Sequence, residues 1–219
     1  MRIIEFQTLP STDDYLKENY LAYDNEDVIL ALNQSRGRGR FKREWISGKD
    51  LTFTILFKNN NYHNNLIAPL AIVFALRKYG IHTAIKWPND IYLHNKKLAG
   101  VLCESIYEGD YKKCDIVGIG LNTSKKDESL NASYVTIDRH ILLDDILYAY
   151  KELLSMSPDK LLIEYKKASF TLNMDVIYQN EKFKIIDYTT NLEIVLDNNF
   201  RRVILNANEI DLKSAMMKK

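Results

Sequence analysis

Glycine is scarce in this chain, with eight residues in 219. Scarcity makes position informative, because glycine alone lets another group approach the backbone closely or the chain turn tightly at little steric cost. Five of the eight (Gly37, Gly39, Gly100, Gly118, Gly120) fall within three short segments: Gln34-Ser35-Arg36-Gly37-Arg38-Gly39-Arg40, Lys97-Leu98-Ala99-Gly100 and Gly118-Ile119-Gly120. Cysteine is scarcer still. Cys103 and Cys114 have no His or second Cys at metal-ligand spacing, so both read as packing residues, and a disulfide framework is excluded. With Met1-Arg2-Ile3-Ile4 running straight into polar residues, no secretory leader is expected, and a reducing, cytoplasmic setting fits best. No apolar run approaches the ~20 residues that a spanning helix needs. Nor is one sign of charge in excess: 30 Lys+Arg face 29 Asp+Glu, which excludes a bulk polycation and makes any basic function local.

What remains is ordinary globular composition, 46% hydrophobic and 27% charged, with length for one full-sized domain and a small one. Ser11-Thr12-Asp13-Asp14 reads as a helix start, a hydroxyl cap followed by acids. Residues 28–32 and 51–57 read as buried strands, separated by a long glycine-arginine loop over 34–50. The stretch 66–79 is apolar around most of a helix circumference and ends at Gly80. Strands are expected at 83–86, 91–93, 100–104 and 115–121, with a turn at His94-Asn95-Lys96. From Leu143 the spacing turns helical, and repeats after Pro158. Beyond residue 168 only short strands remain (175–178, 182–188, 192–196, 201–205), separated by Asn- and Asp-rich turns, the pattern of a small barrel. The segment before residue 28 is too short for a helix-turn-helix.

The chemistry concentrates in four places. Residues 34–43 carry Arg36, Arg38, Arg40, Lys42 and Arg43 with no acid. Alternating Arg and Gly lets backbone N–H groups and guanidinium forks converge on one anion. A solvated basic loop, or one touching nucleic acid nonspecifically, has the same composition. Trp45 closes the loop, either to stack on a purine or to anchor the loop to the core. In Lys86-Trp87-Pro88-Asn89-Asp90, Pro88 forces Trp87 away from helix, so Asn89 and Asp90 project from a strand end. A carboxylate there can hold Mg²⁺, orient a lysine, or simply cap an Asx-type turn. Lys97 opens the next strand, where an ammonium could neutralise charge developing on a phosphate, although Lys96 beside it shows how common lysines are here. Gly118-Ile119-Gly120-Leu121-Asn122 is a strand that a ligand could approach. His63, His82, His94 and His140 have no paired spacing and receive no role.

Taken in order, these segments resemble the biotin protein ligases (biotin–[acetyl-CoA-carboxylase] ligases), in a short form without an N-terminal DNA-binding domain. The resemblance covers essentially the whole chain. It implies an α/β (α+β) fold, a mixed sheet flanked by helices with a small C-terminal SH3-like β-barrel, divided into a catalytic domain over 1–168 and a barrel over 169–219. It implies an enzyme that forms biotinyl-5′-AMP from biotin and ATP with Mg²⁺, then transfers biotin to a lysine of a biotin carboxyl carrier protein or domain. By position, Ser11, Thr12, Gln34, Gly37, Arg38 and Lys97 match the biotin pocket. Arg40, Trp45, Lys86, Asn89 and Asn122 match the nucleotide side, with Asp90 at the metal. Lys97, Arg38, Arg40 and Asp90 match the catalytic set, and Arg38 and Arg40 belong to a loop that closes over the intermediate. Three positions depart from the family pattern: Lys42 stands for the third loop glycine, Arg36 for a small residue, and Asp13 for the Asn usual after Ser-Thr. The resemblance implies a monomer or homodimer, without DNA or membrane as partner. Competing readings are a lipoate or octanoate ligase or transferase of similar fold, a nucleic-acid-binding module, and a biotin-responsive repressor.

Overall fold

The computed structural model describes residues 1–58, 62–210 and 212, leaving the side chains of Lys42 and Glu128 undescribed. Seven strands form the central sheet: β1 (Ile3–Phe6), β2 (Val28–Ala31), β3 (Leu51–Phe57), β4 (Ala84–Lys86), β5 (Asp90–Leu93), β6 (Lys96–Glu108) and β7 (Tyr111–Leu121). Their spatial order is β1-β2-β3-β7-β6-β5-β4, with β1 parallel to β2 and every other neighbouring pair antiparallel.

Both faces of this sheet are covered, and β2 shows why its sequence does not alternate. Successive strand side chains point to opposite faces. Val28 and Leu30 enter the larger apolar cluster, while Ile29 and Ala31 enter a second cluster with Leu16, Leu56 and Ile116. Leu16 comes from helix α1 (Thr12–Asn19), which lies on that second face. The larger cluster takes in α2 (Asn64–Arg77), α3 (Arg139–Leu154) and α4 (Pro158–Ala168). Helix α2 is buried around most of its circumference because it packs between the sheet, α3 and α4. It stops as the sequence suggests: Gly80 adopts φ 70°, and Ile81 N–H donates back to the Leu76 carbonyl at 3.2 Å.

Four further strands, β8 (Asp175–Tyr178), β9 (Glu181–Tyr188), β10 (Ile194–Asp197) and β11 (Arg202–Leu205), make an antiparallel sheet in the order β11-β10-β9-β8. Phe183, Ile185, Ile194 and Leu196 from this sheet join the large cluster, so the two sheets share one core. The join runs through Trp87, which is 2% exposed. Its Nε1 donates to the Leu192 carbonyl at 2.9 Å, and its backbone N–H donates to Thr171 Oγ1 at 3.1 Å.

Strand β1 departs from the sequence reading, which places no strand before residue 28. It is short and only partly buried, so its pattern is weak. Strands β6 and β7 outrun their expected limits through the polar hairpin around Gly109, which adopts φ 58°. Helix α3 begins at Arg139 because the Asp138 carboxylate accepts from the His140 and Ile141 N–H groups.

Candidate active site

A cavity of about 320 Å³ opens over the middle of the central sheet, at the N-terminus of α1 and beneath the glycine-arginine loop. Six segments meet in its wall: Thr12 and Asp13; Gln34; the loop residues Arg38–Phe41 and Arg43–Trp45; Lys86, Asn89 and Asp90; Lys97 and Gly100; and Gly118 and Gly120.

The floor is glycine by necessity. Gly100 on β6 pairs with Gly120 on β7, and the Trp45 indole lies across both. A Cβ on Gly120 would collide with the indole, one on Gly100 would sit 3.4 Å from its Cζ3, and one on Gly118 would collide with the Asp13 carboxylate. The two collisions differ in what can yield. Trp45 belongs to a surface loop, whereas Asp13 is 6% exposed and hydrogen-bonded in place. Gly118→Ala is therefore expected to lower stability by about 1–3 kcal/mol, as overpacking does. Gly120→Ala should act mainly on ligand affinity, by displacing Trp45. Thermal denaturation of both variants checks this; equal losses of stability would show that Trp45 is as fixed as Asp13.

Above the floor, Lys97 Nζ stands 2.6 Å from Asp90 Oδ1 and 5.5 Å from the centre of the Trp45 ring. Lys96, one residue earlier, is exposed and does not line the cavity. Arg40 reaches across the mouth, donating through Nη1 to Asn89 Oδ1 at 3.4 Å and through Nη2 to the Ala207 carbonyl at 2.6 Å. Arg38 is clamped by acids: Nη2 donates to Glu104 at 3.0 Å, and Nε lies 2.8 Å from Asp14 Oδ1 without hydrogen-bond alignment. The loop folds as a narrow hairpin, with Gly39 N–H on the Arg43 carbonyl and Trp45 N–H on the Gly37 carbonyl. Its left-handed residue is Phe41, at φ 57°. The side chain of Lys42, which stands for the third loop glycine, lies outside the described residues. The Trp87–Pro88 peptide bond is cis.

The inner end of the cavity is a row of oxygens. Gln34 Oε1 accepts from the Thr12 backbone N–H at 2.7 Å and from Thr12 Oγ1 at 3.2 Å. Thr54 Oγ1 lies 2.7 Å from Thr12 Oγ1 and 2.6 Å from Asp13 Oδ1. Burial pushes the Asp13 carboxyl up to about 6, against the lowering effect of the Thr54 hydroxyl.

Nine of the twelve site residues expected from the sequence, together with Gly100, Gly118 and Gly120, gather here. Three others do not face the cavity. Ser11 is buried, its hydroxyl capping α1 by accepting from Asp14 N–H at 3.3 Å. Gly37 packs its bare Cα against the Trp45 carbonyl. Asn122 turns its amide into the backbone, donating to the Ser133 carbonyl at 2.9 Å. Cavity residues that the sequence reading passed over include Tyr92, Glu44 and Leu102. Asp13, read from the sequence as a first-turn acid and a departure from the family pattern, lies in the wall. Among the described residues, no group of three His, Cys, Asp or Glu side chains is arranged to hold a metal, and no helix is long and apolar enough to cross a membrane.

The glycine-floored cavity thus sets arginines and a lysine at its mouth against hydrogen-bonding oxygens at its inner end. The sequence model of the biotin/lipoate A/B protein ligase family matches residues 3–122, more than half of the chain, which therefore belongs to that family. Curated relatives include the bifunctional ligase/repressor BirA of Bacillus spizizenii, 30% identical over 145 residues (57% of this chain, 45% of the relative). Another is the biotin–[acetyl-CoA-carboxylase] ligase of Paracoccus denitrificans, 36% identical over 103 residues (43% of each chain). The matched segments span 33–55% of the first curated relatives. Among solved structures, the biotin protein ligase of Aquifex aeolicus in complex with biotin and ATP shares the fold, with a TM-score of 0.77 at 23% identity over 95% of this chain and 97% of that one.

Proposed function

We propose that this protein is an ATP-dependent biotin–[acetyl-CoA-carboxylase] ligase acting in the cytosol. It joins biotin to AMP and passes the biotinyl group to a lysine of a biotin carboxyl carrier protein or domain. The observation that carries the reading is the meeting of Lys97, Arg40, Asp90 and Trp45 with Thr12 and Gln34 in one cavity. Curated relatives that carry the biotin ligase name support it.

In the first step a biotin carboxylate oxygen attacks the α-phosphorus of ATP, and pyrophosphate leaves with the P–O bond electrons. In the second, the acceptor amine attacks the acyl carbon of the mixed anhydride, loses a proton and expels AMP. Negative charge builds on phosphorus oxygens in the first step and on the acyl oxygen and departing phosphate in the second. Fixed cations aimed at those oxygens lower the barriers without reorganising. In this reading Lys97 holds the carboxylate against the phosphate, and Arg40, with Lys86 and Asn89, steadies the phosphate chain. Arg38, already neutralised by Glu104 and Asp14, fixes the loop root above the biotin head. Trp45 offers its face to the adenine. The inner oxygens of Thr12 and Gln34 take the head of the biotin.

Asp90 is the carboxylate that fits Mg²⁺, as a single ligand to an ion arriving on the nucleotide with its own waters rather than as part of a dedicated cage. Bound there, Mg²⁺ would neutralise charge on the leaving phosphates. The four short C-terminal strands are the SH3-like part of this reading, with the division near residue 168.

Incubation with biotin, ATP, Mg²⁺ and an acceptor domain, followed by intact mass, should show one biotinyl addition to the acceptor. A lipoyl or octanoyl addition from parallel reactions, with none from biotin, would transfer the chain to the other branch of the family.

A further inference from the structure

Resting on the reading above, we infer that Asp13 is a specificity-determining residue. Its ionised carboxylate sets the direction of the Thr54–Thr12 hydroxyl chain, so that the inner end of the cavity presents acceptors to the N–H groups of the ligand.

A hydroxyl has one proton to give. Thr54 Oγ1 sits within hydrogen-bond distance of both Asp13 Oδ1 (2.6 Å) and Thr12 Oγ1 (2.7 Å), so it donates to one and accepts from the other. When Asp13 carries its proton, the chain runs outward: Asp13 to Thr54, Thr54 to Thr12, Thr12 to Gln34 Oε1. Every proton then has a partner inside the protein, and Gln34 Oε1 is filled by Thr12 N–H and Oγ1 together. When Asp13 is ionised the chain reverses. Thr54 gives its proton to the carboxylate, and Thr12 turns its own towards Thr54. Lone pairs on Asp13, Thr12 Oγ1 and Gln34 Oε1 are then left facing the cavity. An ureido head, with two N–H groups on one small ring, matches that second arrangement.

Position supports the assignment as much as chemistry. Asp13 lines the cavity, and Gly118 is free of a side chain where the carboxylate lies. An asparagine here could not ionise: with Oδ1 or Nδ2 turned to Thr54 it would hold the chain in one direction at every pH. The charged and titratable groups around Asp13 come from each packed element. Lys17 and Asp14 share its helix, and Arg38 approaches from the loop; Glu104 and Cys103 approach from β6. Strands β3 and β7 present Thr54 and Gly118. Among the charged neighbours that act on it, Glu104 raises the Asp13 carboxyl, while Arg38 and Lys17 lower it; burial outweighs them all and leaves the group titrating near 6.

The sign follows. If ligand N–H groups favour the carboxylate, binding lowers the affinity of Asp13 for its proton, and the complex forms with proton release. Biotin should therefore bind more tightly as pH rises through about 6 and stay constant above about 7, weakening by up to about tenfold per pH unit below. Isothermal titration of biotin alone against the full chain from pH 5 to 8 tests this, in buffers of differing ionisation enthalpy. Wild type should release a fraction of a proton near pH 6, and Asp13→Asn should show neither proton release nor the pH slope. A flat wild-type profile, or tighter binding as pH falls, overturns the role of Asp13 and leaves biotin recognition standing. Failure of biotin to bind at any pH overturns the biotin reading itself.

Discussion

Lys97→Ala should cut ligase turnover about 100- to 1,000-fold, the usual cost of removing one preorganised charge stabiliser. Lys96→Ala should leave turnover little changed. The two lysines are neighbours in sequence and opposites in surroundings. Lys97 enters the cavity, meets Asp90 at 2.6 Å and stands beside the Trp45 ring, whereas Lys96 points into solvent. The fold should survive the first substitution, because Asp90 keeps 26% of its side chain in water and can rehydrate when its partner is lost. Rates should therefore separate the variants while melting temperatures do not. Comparable turnover losses in both would place the catalytic cation elsewhere.

Asp50→Ala should damage the fold more than any other single change considered. Its carboxylate is fully buried at the root of the glycine-arginine loop. Oδ1 accepts from Thr123 N–H and Ser124 Oγ, both at 3.1 Å, and Oδ2 accepts from Gly48 N–H at 3.3 Å and from Lys126 Nζ. The Lys126 side chain is only 9% exposed, so truncating Asp50 strands an ammonium where little water reaches it. Breaking such a pair from one side costs about 3–5 kcal/mol. At about 2–4 °C per kcal/mol for a chain of this size, the melting temperature should fall by roughly 6–20 °C. Asp50→Asn retains the shape and part of the bonding, and should fall between. A drop of less than about 1 kcal/mol in Asp50→Ala would mean that Lys126 swings out to solvent unaided.

The parts of this architecture legible in the sequence are those whose signal is local. Gly80 stops a helix by its own conformational freedom, and the run at 28–31 is apolar because both faces of that strand are covered. Gly118 and Gly120 stand out through scarcity, and the structure supplies the reason: a carboxylate and an indole occupy the space where their side chains would be. Orientation was less readable. Ser11 and Asn122 stand in segments singled out from the sequence yet aim their side chains at the backbone, and Gly37, with no side chain to aim, packs against the Trp45 carbonyl. Thr54, Glu104 and Ala207 carried no signal at all. They reach the site by sheet register and by packing of the second sheet, which no short window of sequence contains.

Arg40 has a consequence for how the molecule responds to occupancy. Its guanidinium bridges Asn89, at the edge of the central sheet, and the Ala207 carbonyl just beyond β11, so one side chain both guards the cavity and laces the two sheets together. Each Nη carries two protons, so an anion in the cavity and the two sheets share the donors of one guanidinium. Occupancy of the cavity and alignment of the two sheets thus converge on a single side chain, and a shift of either is felt by the other.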